Sequence, residues 1–182
     1  MRLYHGSDIA IDAPEVGRNT GFADLGNGFY LTDDAEAARR RALSRARRMG
    51  TATGVVSAYE LDEGCIPWAT WDERGPALPS GTATGPFGLR FAESAAGVAA
   101  WARYILACRA GRTAVEGLGE PAIVRAWIAT EELEMVAADF ATPEDLAAAT
   151  ETEELVVQYC LLDQSVIDAH LVFVEAHAYE RT

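Results

Sequence analysis

Two stretches near the end of the chain, Val156–Leu162 and Leu171–Ala176, carry apolar residues on both faces of an extended backbone. Runs of this length without polar alternation read as buried central strands. A central strand needs a partner on each side. The other β-rich segments are residues 2–5, Gly28–Leu31 and Val55–Leu61 at the opposite end, and Ala122–Ile128. The sheet must therefore be assembled from strands at both ends of the chain, with helices lying between them. Strands and helices do not alternate regularly, which argues against a doubly wound parallel fold. An α+β domain with a mainly antiparallel sheet fits the order better. At 182 residues the chain is one such domain.

The helices are read from spacing and caps. Asp33 with Glu36 reads as a capping box opening a helix of about 16 residues. Its apolar stripe is Ala35, Ala38, Ala42, Ala46 and Met49, and its other face carries Arg39, Arg40, Arg41, Arg45, Arg47 and Arg48. Gly50 and Gly54 end it. A second helix carries Val98, Trp101, Ile105 and Cys108 on one face. A third is marked by Leu133, Val136, Ala137 and Phe140, and a fourth starts at Thr142-Pro143. A short helix, Gln164–Ala169, joins the last two strands. Residues 72–90 are dense in Gly and Pro and read as a loop of a length that often carries function.

Charge narrows the partners. The formal net charge is −13, and all 15 basic residues are arginine. Residues 1–125 hold fourteen arginines against fifteen acids; residues 126–182 hold one arginine against thirteen acids. The acidity belongs to the C-terminal third, so the near-neutral N-terminal part remains open to anionic ligands. The three cysteines and three histidines form no metal-ligand spacing, and reduced thiols are expected. Neither a P-loop nor a GxGxxG is present. No apolar run reaches membrane-spanning length, and His5, Ser7 and Asp8 interrupt any signal-peptide core. The expected location is cytoplasmic, with no membrane partner.

Three segments offer chemistry. Leu3-Tyr4-His5-Gly6-Ser7 places an imidazole at a strand end beside a glycine that admits close approach. Gly26-Asn27-Gly28-Phe29-Tyr30-Leu31-Thr32 puts Phe29 and Tyr30 on opposite faces, one for the core and one able to stack on a flat ring. Val157-Gln158-Tyr159-Cys160-Leu161-Leu162-Asp163 sets Gln158 inside an apolar strand, where its amide must find partners. Asp24 is a turn-former or a site carboxylate. The arginine-rich helix is a solvated face, docked on the acidic third, or a phosphate-binding one.

Taken together and in this order, the three segments resemble ADP-ribosyltransferases of the diphtheria-toxin and poly(ADP-ribose) polymerase branch. The His-Gly-Ser opening, the Gly-x-Gly-aromatic-Tyr strand followed by a helix, and the late Gln158-Tyr159 strand carry the likeness. Roughly residues 3 to 175 also resemble a bacterial family of uncharacterised domains with that expected fold. The matching positions are Asp24, Gly26, Gly28, Phe29, Tyr30, Trp101, Arg109 and Gln158.

The resemblance implies a split sheet and an NAD-dependent mono-ADP-ribosyltransferase, with Gln158, His5 and Tyr30 as catalytic residues. NAD is the substrate, held by His5, Gly6, Ser7, Arg18, Gly28 and Tyr30. His5 would bond a ribose hydroxyl, the Gly6 backbone the carboxamide, and Tyr30 would stack on the nicotinamide. Ser7 would lie near the adenosine side; Arg18 is set near the diphosphate on its charge alone. A toxin of a toxin–antitoxin or phage-defence pair, a small antitoxin partner, and a protein or nucleic-acid acceptor follow from the same analogy. The chain departs from the branch in three places: Gln158 stands where it has Glu, Ala38 where it has Ser, and Arg41 where it has a second stacking Tyr. Poly-ADP-ribose elongation is therefore not expected. A binding module without turnover and an NAD glycohydrolase are the alternatives.

Overall fold

The structure, a computed structural model, describes residues 1–18, 24–72, 74–79, 85–127 and 156–181, without the Cys65 side chain. It is α+β. Nine strands form one open sheet in the order β5-β4-β6-β7-β8-β2-β1-β3-β9. They are β1 (Arg2–Ser7), β2 (Phe29–Thr32), β3 (Thr53–Leu61), β4 (Trp68–Asp72), β5 (Gly75–Ala77), β6 (Gly88–Phe91), β7 (Ile123–Trp127), β8 (Val157–Leu161) and β9 (Leu171–Glu180). All pairings are antiparallel except β4 with β6 and β6 with β7. The expected third and fourth helices, around Leu133–Phe140 and from Thr142, lie outside the described residues.

The two segments that fixed the fold class part company. β8 is central, between β7 and β2, and buries Tyr159, Cys160 and Leu161. β9 is an edge strand, which corrects the expectation of a second buried one. Leu171 and Phe173 pack inward, while Val172 and Val174 are 63% and 43% exposed. An apolar run reports its own composition and not what covers it. Val174 is also skipped in the β3 pairing, where Ala58 meets Glu175 and Tyr59 meets Phe173. A bulge of this kind twists an edge and blunts its pairing with other chains.

Segment 72–90 is not one loop. β5 folds back on β4, and β6 runs parallel to β4 from Gly88. The Trp68 ring fills the space a side chain at Gly88 would need. Strands of three to five residues rich in Gly and Pro leave no periodic signal.

Three α-helices are described: α1 (Ala35–Met49), α2 (Ala95–Arg109) and α3 (Gln164–His170). The cap of α1 is Asp34 and not Asp33; its carboxylate accepts from Glu36 N and Ala37 N. Ala38, Ala42 and Ala46 are its buried stripe, whereas Met49 is exposed, and Gly50 closes the helix in the left-handed region. The helix lies unusually close to β1 and β3. A Cβ at Gly6 would overlap the Ala38 carbonyl and crowd Ala42 N at 2.8 Å, and one at Gly54 would meet the Ala42 carbonyl oxygen at 2.7 Å. Small residues on both partners allow this approach. On the same side of the sheet α2 packs on β4 and β6, with Val98, Trp101, Ile105 and Cys108 all buried. The other side is closed by a second cluster of Leu3, Phe29, Leu31, Tyr59, Leu161, Val166 and Ile167.

β1 is held unequally. It has six residue pairs in register with β3, but on the β2 side only Tyr4 with Thr32. This seam divides β5-β4-β6-β7-β8-β2 from β1-β3-β9.

Candidate functional site

The three motif strands become consecutive in the sheet: β1 with His5, β2 with Tyr30, β8 with Gln158. The His5 ring crosses the seam and meets the Tyr30 carbonyl, Nδ1 to O 2.7 Å. A carbonyl only accepts, so Nδ1 carries the hydrogen and the neutral ring keeps a lone pair on Nε2. Burial lowers the His5 pKa from 6.5; the bond to the Tyr30 carbonyl opposes this, and the nearby positive charges of Arg41 and Arg45 add to it. Neutral imidazole is thus the resting form at pH 7.

The ring stacked on His5 belongs to Phe29, with centroids 4.6 Å apart. Phe29 and Tyr30 do take opposite faces: Phe29 joins the cluster around Tyr59, and Tyr30 packs with the α2 cluster. Tyr30 is partly exposed, and its hydroxyl is occupied. It accepts from Leu25 N at 2.9 Å and donates to Gly26 O at 2.8 Å, fixing the turn before β2. Burial, and then Cys160 beside it, raise its pKa far above the usual phenol value. The same turn is anchored by Asp24, which receives Arg109 of α2 at 2.7 and 3.0 Å. Asp24 thus acts in the turn before β2, its carboxylate held by Arg109. The room left by Gly28 is taken by the Leu161 carbonyl and Cys160 Sγ of β8.

Gln158 shares the Tyr30 face, since Thr32 pairs with Gln158 and Tyr30 with Cys160. Its Nε2 donates to Trp127 O at 3.0 Å. His5 projects from the other face, toward Phe29. Ser7 is buried and donates to Asp8 Oδ1 at 3.2 Å, and Arg45 of α1 meets the same carboxylate at 3.1 Å. Burial alone would raise the Asp8 pKa; the Arg45 bond, its own backbone and Ser7 outweigh it and hold the carboxylate below its ordinary range. Gly6 faces α1, as described. Arg18 stands apart from these groups, 73% exposed and paired with Glu15 at 2.7 Å.

Sequence reasoning passed over Asp8, although it directly follows the His-Gly-Ser motif. It placed Arg41 on the arginine face of the helix and read it as the replacement of an aromatic, without setting it apart from its neighbours. The arginine helix pairs with acids of its own end of the chain, Glu36, Asp34 and Asp8. Of the cysteines, Cys108 and Cys160 are free and buried, their thiols pushed by burial to about 11 and about 12, which suits inert core residues. Among the described residues no helix is long and apolar enough to cross a membrane.

Comparison with known proteins gives one partial likeness. The family described as "Protein of unknown function (DUF3990)" matches residues 1–68. That stretch runs from β1 through β2, α1 and β3, so it includes His5, Tyr30 and Arg41 and stops short of Gln158. It supports the resemblance to a family of uncharacterised domains over the N-terminal part. No curated protein and no solved structure matches.

Proposed function

We propose that this chain is an NAD-dependent mono-ADP-ribosyltransferase whose site lies along the β1/β2 seam. What carries the reading is the adjacency of β1, β2 and β8, which gathers three motifs that are up to about 150 residues apart in sequence. On this reading the interrupted ladder at Tyr4 and Thr32 is the split of an ADP-ribosyltransferase-like sheet.

The residues present suit the substrate. Neutral His5 offers Nε2 as an acceptor for a ribose hydroxyl. The exposed part of Tyr30, held by its bonds to Leu25 and Gly26, offers a ring edge or face to nicotinamide. Ser7 and Gly6 extend the strand beyond His5. In the reaction the bond from nicotinamide to ribose breaks with its electron pair leaving on nicotinamide. The acceptor's nucleophile bonds the ribose carbon and loses its proton to solvent. The charge that develops on the sugar ring is oxocarbenium-like. Gln158 can orient a hydroxyl but adds no counter-charge, so the step is slower than with a carboxylate. The toxin setting, an antitoxin partner and the acceptor are part of the same proposal and rest on analogy.

Gln158 favours one second reading, an NAD-binding module without turnover. Labelled NAD incubated with the protein and cell extract separates the two. Label on protein or nucleic acid, lost in His5→Ala, supports transfer. Tight NAD binding without any product supports the module. Free ADP-ribose made without a macromolecule identifies a glycohydrolase. Full NAD affinity in both His5→Ala and Tyr30→Ala, with the fold checked by circular dichroism, would sink the site assignment.

A further inference from the structure

We propose that the flank of α1 bearing Arg41 and Arg48 binds the diphosphate of a dinucleotide, a role that rests on the NAD reading above. The flank is defined by helical geometry. With Ala38, Ala42 and Ala46 turned to the sheet, Arg39 falls on one side and Arg41, Arg45 and Arg48 on the other, at spacings of 4 and 3. Arg39 lies 5.8 Å from the Tyr179 ring centroid of β9, which identifies its side as the outer edge of the sheet. Arg45 reaches Asp8 at the end of β1, which identifies the other side as the seam.

The charges there do not balance. Arg41, Arg45 and Arg48 come from α1 and Arg109 from α2, and among the described residues the acids that pair with or act on them here are Asp8 and Asp24. Arg45 takes Asp8 and Arg109 takes Asp24. Among the described residues Arg41 and Arg48 meet no carboxylate within ion-pair distance. Partial burial, then Arg48 and Arg45, lower the Arg41 pKa, and the field of Asp24 only partly offsets them. Two guanidinium groups without a carboxylate partner among the described residues, one of them (Arg41) near enough to act on His5, match the two negative charges of a diphosphate. Guanidinium groups also suit phosphate oxygens geometrically. The anion then lies on the β1 half of the seam, on the α1 face of the sheet, while the His5 ring projects from the opposite face; the two are near enough that the charges of Arg41 and Arg45 act on the imidazole. Arg18, paired with Glu15 and mostly in solvent, does not share this position.

The experiment measures affinity by calorimetry for NAD, ADP-ribose, ADP, nicotinamide riboside and a short single-stranded RNA, at low and high salt. The variants are Arg41→Gln, Arg48→Gln and, on the opposite flank, Arg39→Gln. Arg41→Gln should weaken NAD, ADP-ribose and ADP about tenfold, as expected for loss of a charge-assisted contact. It should flatten their salt dependence and leave nicotinamide riboside unchanged. Arg39→Gln should change none of these. Wild-type NAD affinity in both Arg41→Gln and Arg48→Gln overturns the inference, and if His5→Ala still abolishes binding the proposed function survives it. Arg41-dependent binding of ADP without any binding of NAD keeps the anion site and removes the transferase reading. RNA binding that depends on Arg41 and Arg48, with no ADP binding, overturns the inference in favour of a nucleic-acid surface. No binding of any probe removes both.

Discussion

Arg109 places its Nε and one terminal nitrogen on the same oxygen of Asp24, at 3.0 and 2.7 Å, joining positions 85 residues apart. The bond ties the last turn of α2 to the turn that leads into β2. Both side chains keep about a quarter to a third of their surface in water. Such a pair is worth less than a dry one, and solvent screening limits it. A double-mutant cycle of Asp24→Ala and Arg109→Ala, followed by denaturant unfolding, should give a coupling of about 1 kcal/mol. A coupling near zero would mean that the pair merely decorates the turn.

The close seat of α1 on β1 makes Gly6 hard to replace. A methyl group there meets main-chain atoms of Ala38 and Ala42, which cannot rotate away. Gly6→Ala should cost about 3 kcal/mol. Gly17→Ala is the comparison: its surroundings are open, but its φ is +83°, so the cost should be about 1 kcal/mol from backbone strain. The order of the two, read from urea unfolding, is the prediction. Equal costs would mean that α1 can lift off the sheet.

His5 should leave a signature in the pH dependence of stability. Its folded pKa is lowered from 6.5, so the unfolded chain takes up a proton first as pH falls. Its contribution is present in full above about pH 6.5 and is lost as pH falls toward the folded pKa, at up to about 1.4 kcal/mol per pH unit. Stability curves of the wild type and His5→Gln should therefore run parallel above pH 7. Below it the wild type should fall faster, and parallel curves down to pH 5 would refute the buried neutral ring.

Gln158 donates to the Trp127 carbonyl, and a carboxylate cannot. Gln158→Glu places a charge against that oxygen, so its folded pKa is raised above the ordinary glutamate value. The variant keeps a donor while protonated and loses it as pH rises through that pKa. Unfolding at pH 5 and pH 8 should show a penalty of about 1–2 kcal/mol that is larger at pH 8. A penalty independent of pH would place the side chain in free solvent. Transfer activity, measured in parallel, reports separately on what the added charge does for the sugar.

Local order was legible where a pattern repeats. Alanines three and four apart announced α1, and the cap was missed by one residue because Asp33 and Asp34 are both competent and only backbone geometry chooses between them. The apolar run at Leu171 announced a strand but not that it would be last in the sheet, because strand order depends on partners elsewhere in the chain. β4, β5 and β6 were hidden by brevity. For the site, alternation along β2 told that Phe29 and Tyr30 would diverge. Which of them would meet His5 was decided by the clusters on either side of the sheet. The Asp24–Arg109 bond and the bare flank of α1 needed the fold itself, since neither has a local sequence signal.

The seam gives the sheet an uneven mechanics. Where six residue pairs bind β1 to β3, bending means breaking a ladder. Where one pair binds it to β2, the halves can change their mutual angle at the expense of a bond or two. His5 and Arg41 ride on one half and Tyr30 and Gln158 on the other. A molecule bridging them would act as a clasp, and its fit would be set by the pitch between two stiff plates instead of by the reach of any single side chain.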